Sequence, residues 1–415
     1  MIYRCSVLAL LALGSMLGAC DGSAANVPVD AGPGDASLPL ADAYVAPDAW
    51  TFSIAPHGPG LVVQSQGGTT FTHPQLVVIT FSDDPNRAQI EAHASWLVTS
   101  NWLTTVGAEY GVGTGTVLAN VRRTDAAPDA TTTSDIEALL AAGIADHSLP
   151  HAADGTFRDV LYVIYYPEHT HISDSSLGDS CVSYGGYHSE VANGGTPFSY
   201  AVIPNCPNFE PPLSAFQFEQ LAMTHEVFEA ATDARPASAP AYVLSPGLLS
   251  FSPWLLVGAE LADFCALRVS EHSYVMEAGF YATRVWSNAA AASNDRDPCV
   301  PVPSAAPAYR ALSITPTDAQ AVAAGGSVTF SIDAWTTSPM PAFRVFAQPA
   351  SPTPPPGMFE PVLSLDRMTM NNGDHATLTV SAPVGTPHNA YALIYVETAV
   401  SASDYDATPV AVYVQ

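Results

Sequence analysis

Downstream of a low-complexity N-terminus, continuous apolar runs alternate with segments of helical periodicity. Two runs rich in β-branched and aromatic residues, 75–81 and 160–166, predict buried strands. Apolar residues at helical spacing predict helices over 87–98 and 133–144. This succession indicates an α/β domain, which we place at residues 56–303.

Beyond a proline-rich stretch at residues 301–307, short segments of alternating apolar and polar residues follow one another. Such alternation is typical of strands with one buried face, and turn-forming residues separate the segments. They predict an all-β sandwich of immunoglobulin or fibronectin type over residues 308–415. The segments are 327–332, 376–380, 390–396 and 410–414. We expect this domain to act as a spacer or to bind a glycan or a protein, since fold alone does not define function.

A third helix is signalled after Pro211 and Pro212 break the chain. Ser214, with Gln217 three residues later, predicts a capping box at its start. We expect the helix to end at Pro236, which cannot continue it.

This helix contains the sequence His225-Glu226-Val227-Phe228-Glu229. Residues four apart share a helix face, so His225 and Glu229 can bind one ion while Glu226 reaches its open coordination position. In the related HExxH motif, two histidines bind zinc and the glutamate takes a proton from the metal-bound water. A carboxylate in place of the second histidine still suits zinc but makes the bound water less acidic. The alternative is that the five-residue pattern occurs on this helix by chance, and that its polar side chains lie on the surface or form salt bridges.

Two further carboxylates, Glu260 and Asp263, are one helical turn apart in the otherwise apolar stretch 248–267. Carboxylates in such surroundings need partners. We predict Glu260 as the third metal ligand and Asp263 as an acceptor that orients the ring of His225, and the reverse assignment stays open. Asp233 is either a further support of the site or a turn residue at the helix end.

The segments 222–233 and 260–265 resemble the exordium (phosphate-induced) proteins of plants and their bacterial relatives. This zincin-like group has an H-E-x-x-E-x-x-T-D/N segment and a later E-I/L-A/G-D-x-C segment. The similarity extends over roughly residues 70–300 and includes 149–150, 160–164, Cys181, 187–189 and 286–288. The resemblance implies a zincin-like fold and a metal-site pattern formed by His225, Glu226, Glu229, Glu260 and Asp263. Gly185 departs from the group's pattern by standing where a second cysteine is usual, so the resemblance does not supply a local disulfide or sulfur ligand there.

Three more histidines are candidates for chemistry. His188 follows a segment rich in Gly and Tyr, and we predict that it is catalytic, as a donor to the tetrahedral intermediate or as part of the cleft. A loop histidine hydrogen-bonded to backbone is the alternative. His169 and His171 have the spacing of a strand that points both rings to one side, which suits a second ion, but solvated loop histidines share that spacing. The strand at 160–166, or the segment 199–203, is expected to bind substrate backbone along its edge.

The N-terminus predicts export. Residues 1–19 read as a signal peptide whose apolar stretch is too short to span a bilayer, and Leu17-Gly18-Ala19-Cys20 reads as a bacterial lipobox. Lipidation of Cys20 would anchor the chain in the cell envelope, at the outer membrane or cell surface. An ordinary signal peptide is the alternative. Residues 20–55, rich in Ala, Asp, Pro and Gly, predict a disordered tether.

Cysteine usage fits the same destination. Removal of Cys5 with the signal and lipidation of Cys20 leave an even set, which suits two disulfides in an oxidising compartment. Three pairings are possible. The shorter loops favour Cys181 with Cys206 and Cys265 with Cys299.

The formal net charge is −27, and all 12 basic residues are arginine. Nucleic acid is therefore not an expected partner, because phosphate binding needs a basic stripe. The acidity keeps a tethered protein soluble and favours cationic peptides.

Two functions follow from these patterns. The first is a lipid-anchored zinc metallopeptidase, in which His225, Glu229 and Glu260 hold Zn²⁺ and Glu226 is the general base for hydrolysis of a peptide or protein substrate. The second is a non-catalytic envelope protein for adhesion or signalling, with a vestigial or structural metal site.

Overall fold

The computed structural model describes residues 52–151, 157–191, 197–210, 212–245, 251–269, 273–304, 306, 308–351, 353–401 and 404–415. The predicted signal peptide, Cys20 and most of the predicted tether lie outside these ranges. The described fold is mixed α/β with several sheets, as the sequence indicates. None of the helices in these ranges has the length and apolarity needed to cross a bilayer.

In chain order the elements of the first part are β1 (Gln75–Thr80), α1 (Arg87–Leu97), α2 (Asn101–Gly107), β2 (Thr116–Arg122), β3 (Ala130–Thr132), α3 (Thr133–Ala145), β4 (Val160–Tyr166), β5 (His171–Asp174), β6 (Gly178–Asp179), β7 (Tyr187–Val191), β8 (Phe198–Pro204), α4 (Ala215–Thr232), α5 (Asp263–Ala266), β9 (Arg268–Val269), β10 (Tyr274–Glu277), β11 (Phe280–Thr283), β12 (Val285–Trp286), α6 (Asn288–Ser293) and β13 (Cys299–Val300). They are built on a five-stranded sheet of order β2-β1-β4-β8-β7, which is parallel except for the antiparallel pairing of β7 with β8.

This sheet is buried on both faces, which explains why its strands read as unbroken apolar runs. Leu76 and Val78 of β1 face the core formed with α1, α2 and α4. Val77 and Ile79 face the opposite core, formed with α3. The strands predicted at 75–81 and 160–166 and the first two predicted helices are thus confirmed as β1, β4, α1 and α3.

The two strands expected to bind substrate along an edge are inner strands. β4 lies between β1 and β8, and β8 lies between β4 and β7. Their backbone groups are already paired with neighbouring strands, so that prediction is wrong. The two end strands of the described sheet are β2 and β7, and β7 carries His188.

Helix α4 lies in the core, and every side chain from Phe218 onward is buried. It begins as predicted, with a reciprocal capping box between Ser214 and Gln217. It ends before Asp233 rather than at the expected Pro236. The reason is that Asp233 leaves the helical conformation and its Oδ1 accepts a backbone N–H of the following loop at 2.7 Å.

The second part of the chain is all-β. Its strands are β14 (Arg310–Thr315), β15 (Gln320–Val322), β16 (Ser327–Thr336), β17 (Phe343–Pro349), β18 (Val362–Leu365), β19 (Thr369–Met370), β20 (His375–Ser381), β21 (Tyr391–Ser401) and β22 (Asp404–Val414). They form one sheet of order β14-β16-β20-β18 and another of order β15-β22-β21-β17-β19. Phe330 of β16 and Ile394 of β21 belong to one hydrophobic core shared by both sheets. The four predicted segments are confirmed as β16, β20, β21 and β22, apart from Ala390, which precedes its strand.

The two parts contact each other directly. β9 pairs with β22, which extends the larger all-β sheet onto the first part. Arg268 lies 2.7 Å from Asp297, and Arg310 lies 2.9 Å from Asp404. Asp406 lies 3.8 Å from Arg268 and 3.6 Å from Arg310, so it joins the two ion pairs across the contact.

The end of the predicted tether also contacts the all-β part. Asn372 donates its side-chain N–H to Ser53 O at 2.9 Å and accepts the Ala55 N–H at 3.1 Å. Ala55 is buried. Residues 53–55 were expected to be disordered from their composition, but a side chain more than 300 positions away satisfies their backbone groups.

Two disulfides join Cys181 to Cys206 and Cys265 to Cys299. This confirms the pairing that the loop lengths favoured. The first bond fastens the segment before β7 to the end of β8, and the second fastens α5 to β13. Disulfides of this kind indicate an extracytoplasmic protein.

Candidate metal centre

Helix α4 positions four polar side chains in the interior. His225 and Glu229, four residues apart, face α5, while Glu226 and Asp233 lie toward β7. All four have side chains 0–2 % exposed, although the other residues of the helix are mostly apolar; Asp233 directly follows its last residue. Burial of so many polar groups is costly unless each has a partner.

The first group forms around His225. Its Nε2 lies 3.1 Å from Glu229 Oε1 and 3.4 Å from Asp263 Oδ1. Asp263 has room only because residue 258 is glycine, since a Cβ there would lie 2.0 Å from Asp263 Oδ2. That same oxygen accepts the Glu260 N–H at 3.1 Å, which fixes the carboxylate beside the imidazole.

Glu229 is held in place by the start of α5. Its Oε1 accepts the backbone N–H groups of Ala262 and Asp263, both at 3.2 Å. The expectation of Glu260 and Asp263 on one helical turn is wrong, because Glu260 pairs with Val243 in an extended bridge and the helix begins only at Asp263. The two carboxylates therefore point into different parts of the centre.

The second group forms around His188 on β7. Its Nδ1 lies 3.5 Å from Glu226 Oε2 and 3.9 Å from Glu229 Oε2, and its Nε2 lies 3.5 Å from Glu260 Oε1. The ring is fully buried, and at these distances neither nitrogen makes a well-formed hydrogen bond to a described residue. The alternative of a loop histidine bonded to backbone is therefore wrong: His188 lies in a strand and faces carboxylates.

The structure thus divides the predicted metal ligands between two groups. His225, Glu229 and Asp263 form one, and His188, Glu229 and Glu260 form the other. His225 and Glu260, predicted to share an ion, fall in different groups, and Glu229 belongs to both. In each group the ligand atoms all lie within 4.8 Å of one another.

These groups have the spacing and the buried polar atoms that a cation needs. Two ligand atoms about 2.1 Å from a tetrahedral ion lie about 3.4 Å apart, which is close to the 3.1 and 3.4 Å that separate His225 Nε2 from Glu229 Oε1 and Asp263 Oδ1. The His188 group is wider, because Glu229 and Glu260 face different nitrogens of the ring, and its ligand atoms lie within 4.8 Å of one another. Several buried atoms lack a hydrogen-bond partner among the described residues, namely both oxygens of Glu226, Glu229 Oε2, Asp233 Oδ2 and both ring nitrogens of His188. The buried His, Glu and Asp groups could therefore hold a metal ion. Imidazole with carboxylate suits several divalent metals, so the donor set does not specify one.

Burial and neighbouring charges shift the pKa values of the centre. Burial raises the pKa of Asp263 to about 7 and that of Asp233 to about 6, and it also raises the pKa of Glu226. Burial lowers the pKa of His225, but the charge of Glu229 and its hydrogen bonds outweigh burial and raise that pKa well above its usual value. Without a cation the centre therefore retains protons, which a bound ion would displace.

A cavity of about 30 Å³ adjoins the His225 side of the centre. This volume is enough for about two water molecules. Its lining residues are Glu210, Phe218, Leu221, His225, Cys265, Ala266, Arg268, Ser273 and Thr283. His225 is thus the ligand candidate that borders space for water, whereas His188, Glu226 and Glu229 are fully enclosed.

Two glycines beside the centre explain local features of the sequence. A Cβ at Gly186 would lie 3.0 Å from Glu226 Oε1, so position 186 needs a small residue. A Cβ at Gly185 would lie 2.2 Å from Phe218 Cζ. Gly185 is therefore too closely packed to hold the cysteine of the resembling family, and Cys181 pairs elsewhere.

The other histidine pair does not join the centre. His169 lies 3.4 Å from Asp83, and His171 lies 3.5 Å from Asp179. Both rings are exposed to about half, and each faces a different carboxylate. In the described part of the chain they belong to no metal-binding group, as expected of solvated histidines.

No family model and no curated protein matches this sequence. Weak likeness to solved structures includes the following three. A Bacteroides ovatus GH5 xyloglucanase in complex with a heptasaccharide has 13% identity and a TM-score of 0.17, over 25% of this chain and 19% of that one. A C. elegans twitchin kinase fragment with immunoglobulin domains has 14% identity and a TM-score of 0.15, over 26% of this chain and 20% of that one.

The third structure is a nucleoside hydrolase-related hypothetical protein from Saccharophagus degradans, associated with carbohydrate metabolism. It has 11% identity and a TM-score of 0.26, over 83% of this chain and 100% of that one. This chain spans about a fifth of the length of the xyloglucanase and of the twitchin fragment. At these TM-scores the likeness carries no conclusion about fold or function.

Proposed function

We propose that this protein is an exported, zinc-dependent metallopeptidase with a zincin-like domain. The observation that carries the proposal is the convergence of two imidazoles and three carboxylates in two groups of candidate ligands, with Glu226 and Asp233 buried beside them. A buried set of this kind needs a cation or several protons to offset its charge. The HExxE helix supplies three of its members in the order that metal-dependent hydrolysis uses.

The roles follow from position. A divalent ion in the centre would polarise the scissile carbonyl and acidify a water molecule. Glu226 is the general base, because both its oxygens are enclosed and have no hydrogen-bond partner in the described ranges. After taking a proton from water, Glu226 passes it to the leaving amine. His188, 3.5 Å from Glu226 Oε2, is placed to orient that carboxylate or to donate to the tetrahedral intermediate.

The substrate would bind beside β7. This strand is one of the two end strands of the described sheet, and an extended peptide can add to a sheet edge by backbone hydrogen bonds. β7 also carries His188, so a peptide paired with it would pass close to the centre.

The test compares two glutamates of the same helix. Glu226→Gln should abolish hydrolysis of a casein-like substrate while the bound metal is retained. Glu219→Gln is the matched control, because Glu219 is also buried on α4 but accepts a hydrogen bond from Asn205 away from the centre. Elemental analysis of both variants shows whether a loss of hydrolysis is accompanied by a loss of bound metal. Undiminished cleavage by the Glu226 variant would contradict the mechanism.

A second function is favoured by one specific observation. The centre is enclosed, and the adjoining cavity is far too small for a peptide. This would suit a non-catalytic envelope protein in which the ion only stabilises the fold for adhesion or signalling. Stoichiometric metal without chelator-sensitive turnover would support this second function over the first.

The remaining features complete the proposal. Lipidation of Cys20 would tether the protein to the cell envelope. A location outside the cytoplasm agrees with its two disulfides. The two-sheet C-terminal part would be an immunoglobulin-like sandwich that spaces the centre from the membrane or binds a glycan or protein.

A further inference from the structure

Glu229 stands between the two groups, and its carboxylate oxygens face different ones. Oε1 lies 3.1 Å from His225 Nε2, and Oε2 lies 3.9 Å from His188 Nδ1. A carboxylate that presents one oxygen to each of two ligand sets has the arrangement of a bridge between two ions.

The orientation of this carboxylate is fixed by backbone rather than by chance packing. The N–H groups of Ala262 and Asp263 hold Oε1, each at 3.2 Å. These bonds are long for N–H···O contacts, so they orient the oxygen without preventing a further ligand bond. Oε2, which has no hydrogen-bond partner among the described residues, is then directed toward the His188 group.

Charge gives an independent reason for more than one cation. Glu226, Glu229, Asp233, Glu260 and Asp263 are all buried in the centre. When bound ions have displaced the protons and the histidines are neutral, one divalent ion among the five carboxylates leaves three negative charges, whereas two ions leave one. Three uncompensated negative charges in a buried centre cost much more free energy than one.

We propose that the centre binds two divalent transition-metal cations bridged by Glu229. One position is formed by His188, Glu229 and Glu260, and the other by His225, Glu229 and Asp263. Two-metal hydrolytic sites hold their ions about 3.5–4 Å apart, which a single bridging carboxylate can span. This inference goes beyond the peptidase proposal and does not depend on catalysis.

A proton is the competing occupant of the His225 position. Protonated His225 would form a charge-assisted pair with Glu229 and Asp263 at the observed 3.1 and 3.4 Å. In that case only the His188 position would take an ion. Counting ions in variants of each position distinguishes the two arrangements.

The experiment strips the purified full-length protein with a chelator and titrates it with Zn²⁺ alone, with bound metal measured by elemental analysis after gel filtration. The wild type should bind two equivalents. His225→Ala and His188→Ala should each bind one, and His93→Ala should still bind two. His93 is the matched control because it is a buried histidine on α1 outside both groups. One equivalent in the wild type, unchanged by His225→Ala, would overturn the proposal.

A measurement on the wild type keeps the proposal testable if a histidine variant fails to fold. Protein loaded with Mn²⁺ should give the electron paramagnetic resonance spectrum of a spin-coupled pair, and a spectrum of isolated Mn²⁺ would overturn the bridge. Two equivalents without peptide hydrolysis would remove the proposed function but leave this inference standing. One equivalent with hydrolysis would do the reverse.

Discussion

The packing of Gly258 against Asp263 gives a direct test of the His225 side of the centre. In Gly258→Ala the new Cβ would lie 2.0 Å from Asp263 Oδ2, where ordinary contacts begin at 3.4 Å. The carboxylate must therefore move by about 1.4 Å, which is the difference between these two distances. That shift breaks its bond from the Glu260 N–H and disturbs its 3.4 Å contact with His225.

The expected cost combines a lost charge-assisted hydrogen bond, about 1.5–3 kcal/mol, with overpacking of about 1–3 kcal/mol. Such a loss lowers the melting temperature of a domain of this size by about 5–15 °C. Differential scanning fluorimetry of the metal-free protein measures it, and Zn²⁺ titration should show weaker binding at one position. Gly58→Ala is the control, because its Cβ would meet Ser313 at an ordinary 3.6 Å. A melting temperature equal to that of the control would refute the assigned packing.

Three further predictions address the fold and the ion. Gly185→Cys, which restores the cysteine of the resembling family, should destabilise the protein by about 1–3 kcal/mol, because its Cβ would lie 2.2 Å from Phe218 Cζ; equal melting temperatures would contradict this. Burial raises the pKa of Glu397 to about 7, so its protonated form stabilises the fold below pH 4.5, and that stability is lost as the pH rises through 7. In denaturant titrations, Glu397→Gln should therefore be more stable than the wild type at pH 8, by at most about 3 kcal/mol, but not at pH 4.5. The control, Glu360→Gln at an exposed position, should not show this gain in stability at pH 8. Removal of metal by a chelator should lower the melting temperature, and Zn²⁺ should restore it. A free ion concentration of 1,000 times the dissociation constant stabilises the folded state by about 4 kcal/mol. An unchanged melting temperature would count against a bound ion.

The parts of the fold that depend on local sequence could be predicted. The strands β1 and β4 are unbroken apolar runs because both faces of their sheet are buried. The start of α4 follows from the reciprocal bonds of Ser214 and Gln217, which involve residues three apart. The disulfides follow from the preference for shorter loops.

The parts that depend on distant contacts could not be predicted. His188 resembles a loop residue in sequence, and only the antiparallel pairing of β7 with β8 brings it to the carboxylates of α4. Likewise, the spacing of Glu260 and Asp263 suggests one helix, but the bridge from Glu260 to Val243 separates them. The HExxE pattern therefore identified the helix of the centre, whereas the grouping of its ligands required the three-dimensional fold.

The central claim is that cations lie among these buried carboxylates and imidazoles. Anomalous diffraction from crystals of the purified protein, collected at the absorption edge of the metal found by elemental analysis, tests it most directly. The account predicts two peaks, one on each side of Glu229 and each about 2.1 Å from one of its oxygens. A map without a peak beside Glu229, in crystals whose protein contains the metal, would contradict it.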